Sequence, residues 1–259
     1  MKRFLLIATA LAWVPGHVGA QLTQMHAGSD TRYGVELSRG FFEGDGLAWY
    51  TSTLRGRVLT PISPSARLLV DVGLSIAGVD GAGTDGTFAN PELGVVFVDE
   101  DNESRGHLTV VVPVGFDFGD DDVSAGTGLL TDFFRPDRYL SDLVSINAGV
   151  TPRAEVGPST DLTAEITAAA IIPRNDGDSE LFTRYALGIA HDTPAVRLSG
   201  RLEGFAILTQ GDLTLGERTI HRLVFAVDGV RGGPGFFAQV PIDDALDGVD
   251  AVLGFTFTF

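Results

Sequence analysis

Hydrophobic and polar positions alternate along this chain with a period of two. In residues 68–77, LLVDVGLSIA, Leu68, Val70, Val72, Leu74 and Ile76 share one face, while Leu69, Asp71, Gly73, Ser75 and Ala77 share the other. Residues 196–208 set Val196, Leu198, Gly200, Leu202, Gly204, Ala206 and Leu208 opposite Arg197, Ser199, Arg201 and Glu203. The closing stretch sets Ala251, Leu253, Phe255, Phe257 and Phe259 opposite Val252, Gly254, Thr256 and Thr258. This is the pattern of β-strands with one oily face. In a soluble sandwich the second face carries long charged side chains. Here it carries mainly glycine, alanine, serine and threonine, with occasional arginine and acid, as suits a narrow lumen.

The pattern predicts about twelve strands, near 32–39, 47–60, 67–78, 91–98, 106–116, 141–152, 161–172, 181–191, 195–208, 218–228, 234–241 and 250–259. Short joints rich in Pro, Asp, Asn and Gly, such as PISPSA (61–66) and DTPA (192–195), alternate with longer ones, such as 79–90 and 117–140. That asymmetry, with both termini on the periplasmic side, is the one expected of an up-and-down meander. Lipid cannot hydrogen-bond a peptide group, so a sheet in a bilayer must close on itself. The expected fold is therefore all-β: a closed antiparallel transmembrane β-barrel. Pro113 lies inside the predicted fifth strand and removes one ladder donor, which calls for a bulge there or an early exit from the hydrocarbon. Trp49, Tyr50, Phe257 and Phe259 fall at predicted rims, where aromatic rings favour the interface.

Composition adds a compartment. Lys2 and Arg3 precede the short apolar run Phe4–Val14, and Val18-Gly19-Ala20 supplies small residues for cleavage before Gln21. Residues 1–20 read as a secretory signal and 21–259 as the barrel domain. No later apolar run approaches the roughly 20 residues a spanning helix needs. About ten residues separate Gln21 from the first strand, too few for a folded plug. There is no cysteine, so no disulfide framework and no thiolate metal site. The formal net charge is −16, and Lys2 is the only lysine. Such a balance repels nucleic acid and reads as a hydrated acidic surface or as a cation-attracting vestibule.

Two resemblances extend the reading. Terminal Phe259, with Phe255 and Phe257 before it, resembles the C-terminal signal by which outer-membrane barrels are recognised for assembly. It implies the barrel-assembly machinery as a partner and the cell outer membrane as the destination. The run Asn90-Pro91-Glu92-Leu93-Gly94, a polar turn, and a strand ending on Val112-Pro113-Val114-Gly115 resemble the outer-membrane family "MetA-pathway of phenol degradation". Members commonly end that strand on Leu-Pro-Thr-Gly; valine replaces the leucine and the threonine here. The resemblance implies a transporter-like, porin-like barrel that passes small, often hydrophobic, solutes.

Candidate chemistry concentrates in the lumen. A charge facing lipid near the midplane is destabilising by about 2–4 kcal/mol, so Arg55, Arg57, Asp71, Glu165, Arg197, Arg201 and Glu203 should face inward, as a constriction or as an interlocked plug. The histidines after residue 20, His26, His107, His191 and His221, have serines nearby (Ser104, Ser199) but no nucleophile motif, so no enzyme is expected. The acidic stretches 119–122 and 175–180 lack calcium-loop spacing, and neither metal nor cofactor is expected. The leading expectation is a passive channel or transporter for small molecules. The alternatives are a structural or surface-interaction barrel with a closed lumen, and a soluble periplasmic β-barrel binding an apolar ligand.

Overall fold

The alternating segments form twelve long strands, named in chain order β1 (Arg32–Gly44), β2 (Leu47–Ser63), β3 (Ala66–Val79), β4 (Gly83–Val98), β5 (Arg105–Val111), β6 (Leu143–Thr151), β7 (Thr160–Pro173), β8 (Glu180–Asp192), β9 (Val196–Ile207), β10 (Thr219–Gly229), β11 (Gly233–Pro241) and β12 (Val249–Thr258). The computed structural model describes residues 31–44, 47–79, 83–99, 104–114, 117–118, 132, 134–140, 142–174, 177–209, 219–229, 233–243 and 249–259. Residues 1–20, expected from the sequence to be a secretory signal, His26 and the acidic stretch 119–122 lie outside these residues. Two short segments, Asp117–Phe118 and Arg153–Gly157, resume the lines of β5 and β6 along β4 and β7.

Each strand pairs antiparallel with the next, and β12 returns to β1 from Gly34↔Thr258 to Gly40↔Val252. The Phe259 N–H donates to the Tyr33 carbonyl at 2.8 Å, so the seam pairs to the last residue. The sheet is a closed twelve-stranded up-and-down barrel.

Burial is inverted relative to a soluble domain. Asp71, Ser75, Ser145 and Asn147 are wholly buried, whereas Leu187, Phe225 and Phe255 are each more than half exposed. Leu253 and Phe255 face outward, opposite buried Val252 and Thr256. Apolar staves outside and polar ones inside place acyl chains around the cylinder. A soluble periplasmic barrel, which would need a wettable exterior, is ruled out by this outer face. Tyr33 and Phe259 project outward at one rim and Tyr50 sits near the other. Near Tyr50, an outward arginine, Arg39, rests its guanidinium over the Tyr50 ring at 4.1 Å, which suits a charge near an interface. The Trp49 side chain falls outside the described set.

Residues 79–90, expected as an outer loop, are mostly strand: β4 starts at Gly83 and pairs with β3 as far as Val79↔Gly83. The stretch Gly83-Thr84-Asp85-Gly86-Thr87 has no apolar alternation because it belongs to the end of the stave, where neither face must meet hydrocarbon. The Pro113 problem resolves as a break with a bulge. Strand pairing stops at Val111 and resumes at Asp117 one residue out of step along β4. Opposite it, β4 carries Asn90-Pro91 where β3 carries only Val72 between Asp71↔Glu92 and Gly73↔Ala89. The Val112 N–H still donates to the Pro91 carbonyl at 3.0 Å.

Packing within the wall depends on glycine. Inward-facing Gly254 lies beneath the Phe237 ring, itself 1% exposed, and a Cβ there would fall within van der Waals overlap of the ring. Replacing Gly254 by Val is expected to destabilise the folded barrel by about 1–3 kcal/mol, read as a lower urea midpoint in lipid vesicles. An unchanged midpoint would show that the Phe237 ring can move aside.

Candidate functional site: the charged lumen

The third outer connection, between β5 and β6, enters the barrel. Its described part, Asp132 and Phe134–Leu140, includes a short 3-10 turn at Pro136–Arg138 and lies inside the cylinder. Three kinds of contact hold it. Phe134 packs edge-on against Phe205 at 6.3 Å, Phe182 stacks on Phe205 at 5.1 Å, and Leu143, Ala169 and Ile171 complete this apolar anchor. The Asn90 side chain, aimed inward by the β4 bulge, donates to the Asp137 carbonyl at 3.1 Å and to the Leu140 carbonyl at 2.8 Å. The rest is ionic.

On one wall, Arg57, Asp71 and Glu92 are register partners across β2, β3 and β4. Asp71 receives Arg55 Nε at 3.1 Å, Arg57 Nη2 at 2.6 Å and, from the loop, Arg138 Nη1 at 2.7 Å. Arg135 reaches Glu92 at 3.1 Å and makes a two-bond fork with Asp137 at 3.1 and 3.2 Å. Asn147 donates to Asp137 at 3.3 Å, and Arg184 donates to the Asn147 Oδ1 at 3.0 Å. Burial pushes the Asp137 carboxyl up, but Arg135 and Arg184 outweigh it and hold the group below the usual carboxylate range. Burial and the nearby Asp132 push the Tyr139 hydroxyl up to about 12.

Across the barrel, Arg222 Nε meets Glu203 at 2.7 Å and Arg222 Nη1 donates to Gln239 at 2.6 Å. Arg201 joins Glu165 at 2.9 Å to Glu203 at 3.1 Å. Asp132 spans the two walls, 3.5 Å from Arg55 and 3.7 Å from Arg222. The Arg222 guanidinium also lies 4.1 Å over the Phe134 ring. Between these walls remains a cavity of about 170 Å³. Arg55, Arg57, Arg105, Arg184, Arg201 and Arg222 line it, together with Glu36, Glu92, Glu165 and Glu203.

All seven lumen residues expected from the sequence face inward. Arg55, Arg57 and Asp71 share one wall, and Glu165, Arg201 and Glu203 share the other. Arg197 stands apart toward the periplasmic end, bonded to Asp161 at 2.8 Å and Asp192 at 2.9 Å. Sequence reading missed Glu92, Arg135, Asp137, Arg138, Asn147, Arg184 and Arg222. The loop members carried a usable signal: Phe133-Phe134-Arg135-Pro136-Asp137-Arg138-Tyr139 packs aromatics and arginines into an otherwise acidic connection.

The serine–histidine pairings considered from the sequence do not form. His191 faces outward and bonds Thr160 at 3.0 Å, while Ser199 faces inward. Ser104 Oγ accepts the Arg153 N–H at 3.1 Å. A histidine–carboxylate pair does occur at the outer rim: His221 Nδ1 is 2.7 Å from Asp243 and its Nε2 is 2.6 Å from the Tyr185 hydroxyl. It ties the start of β10 to the end of β11. Among the described residues no group of three or more His, Cys, Asp or Glu is arranged to hold a metal ion.

No protein-family profile matches the chain, and no curated protein matches it. Solved structures do. The COG4313 outer membrane channel from Pseudomonas putida F1 superposes with a TM-score of 0.60 at 11% identity, over 93% of this chain and 100% of that one. The NanC porin gives 0.49 at 8% identity, over 86% and 98%. The transport unit of the autotransporter AIDA-I from Escherichia coli gives 0.49 at 10%, over 97% and 96%. The shared feature is the fold, and no match to the MetA-pathway family accompanies it. With its apolar outer belt and closed sheet, the chain has the fold of a transmembrane β-barrel like these outer-membrane structures.

Replacing Asp71 by Asn removes the charge that three arginines share. The expected outcome is a loss of about 3–5 kcal/mol in unfolding free energy in vesicles. Removing exposed Glu155 instead should change it by less than about 0.5 kcal/mol.

Proposed function

We propose that this outer-membrane barrel is a passive channel for small molecules, constricted by its inward-folded third outer connection. The observation that carries the reading is the charged cavity between the loop and the β7–β10 wall. A barrel serving only as a scaffold could fill its interior with apolar side chains. Leaving arginines and carboxylates facing a space creates a polar path with fixed charges on both sides, which is how a pore sorts solutes. The ends of the path differ. Toward the outside, the apolar cluster around Phe134, Phe182 and Phe205 occupies part of the cross-section. Toward the periplasm, the walls carry Arg197, Asp161 and Asp192.

One observation favours the closed-lumen alternative. Asp71 binds Arg138 together with Arg55 and Arg57, so the loop is clamped to the wall by ionic bonds at low exposure. In a conducting barrel this clamp sets the constriction; in a closed one it is the plug. The C-terminal strand, with Phe255 and Phe259 turned outward, is proposed as the segment read by the barrel-assembly machinery.

Planar-bilayer recording distinguishes the two. The wild-type protein should show discrete conductance steps, and Arg138→Ala should enlarge them by freeing the loop from Asp71. Neutralising Arg197 and Arg201 together should shift the reversal potential in a salt gradient toward cation preference. A correctly folded wild-type barrel that stays electrically silent would sink the channel reading.

A further inference from the structure

Within the cavity, charge compensation is uneven. Arg55, Arg57, Arg135, Arg201 and Arg222 each lie within ion-pair distance of at least one carboxylate. Arg105 and Arg184 line the same space. Among the described residues, neither has a carboxylate within ion-pair distance; Arg184 bonds the neutral amide of Asn147 instead. A guanidinium that faces a cavity and has no carboxylate in ion-pair contact keeps donors for an anion from solution.

The two arginines belong to one patch of wall. His107, Gly149, Thr167 and Arg184 are successive register partners across β5, β6, β7 and β8. Arg105 lies two residues from His107 on the same inward face of β5, about 7 Å along the strand. Gly149 makes the row continuous: a Cβ there would overlap both the His107 ring and the Thr167 hydroxyl. Without it the imidazole could not lie across β6 toward Thr167, whose Oγ1 is 3.4 Å from His107 Nε2. The row thus presents two guanidinium groups, an imidazole and a hydroxyl to the cavity.

Beside this row the wall changes character. Val96 is the register partner of His107 on β4 and packs against an apolar cluster of the buried residues Leu59 and Leu69. These three residues face a lumen whose other positions are mostly polar, and all three line the cavity. An inorganic anion has no use for such a patch. A carboxylate with a flat or aliphatic body could set its charge on Arg105 and Arg184 and its body on Leu59, Leu69 and Val96.

We propose that this wall is a binding site for small organic carboxylates with an apolar body, and that such anions are the class of solute that the channel favours. The second clause rests on the channel reading; the site itself does not. The arrangement also reverses what the net charge suggests. The chain is strongly acidic, yet two of its cavity arginines have no ion-paired carboxylate among the described residues.

Calorimetric titration of benzoate into the folded, detergent-solubilised full-length barrel tests the site without requiring conduction. Benzoate should bind the wild type. The neutral near-isostere benzamide should bind about tenfold more weakly or less, and so should benzoate to Arg105→Gln/Arg184→Gln, the effect of losing a charge-assisted hydrogen bond. Migration on unheated gels reports whether each variant is folded, and the two single variants serve if the double one is not. Absent benzoate binding, equal binding of benzamide, or affinity unchanged in the arginine variants each overturns the proposal. If benzoate binds as expected to a barrel that does not conduct, the channel reading fails and the site stands.

Discussion

The structure depends on one constraint: a peptide group in hydrocarbon has no water to bond. Every N–H and C=O of the twelve staves must find a partner in a neighbouring stave, and the first and last must find each other. The seam between β1 and β12 satisfies this through to Phe259. Closure then dictates the side chains. Each strand has one face toward lipid and one toward the axis, so the sequence must alternate wherever the sheet crosses the acyl region and is free to stop alternating where it leaves. The polar outer end of β4 and the broken end of β5 both lie in that freer zone.

Closure also creates a problem in the interior. Twelve staves enclose more space than their inward side chains fill, and inward charges must be solvated or paired. This barrel pairs most of them. The connection between β5 and β6 folds in and brings Arg135 and Arg138 to Glu92 and Asp71, and Asp137 to Asn147, while its phenylalanine end packs on an apolar cluster. Buried ion pairs of this kind add little stability over an apolar filling, because desolvation offsets attraction. Their effect is geometric: they fix where the loop sits while leaving a charged cavity beside it.

The distribution of charge follows the same division. Acidic residues outnumber basic ones nearly two to one over the chain. Arginine, by contrast, is concentrated on inward faces and on the inserted loop. A guanidinium carries five donors and can serve two or three acceptors at once, as Arg222 does with Glu203, Gln239 and the Phe134 ring. An ammonium on a flexible stem could not hold that planar geometry.

The sequence by itself determined the staves and their facing. Alternation at 68–77, 196–208 and 251–259 specified which residues meet lipid, because a one-residue slip would turn every oily side chain inward. Arg55, Arg57, Asp71, Glu165, Arg197, Arg201 and Glu203 were legible as lumen residues for the same reason. What the tertiary structure decided is which of them meet. Asp71 and Arg138 are 67 positions apart, and their bond exists only because a connection with no periodicity turned into the barrel. The lack of an ion-paired carboxylate at Arg105 and Arg184, among the described residues, is of the same kind. A counter-charge is a property of position in space, and alternation along a strand fixes the face of a side chain but not its neighbours across the lumen.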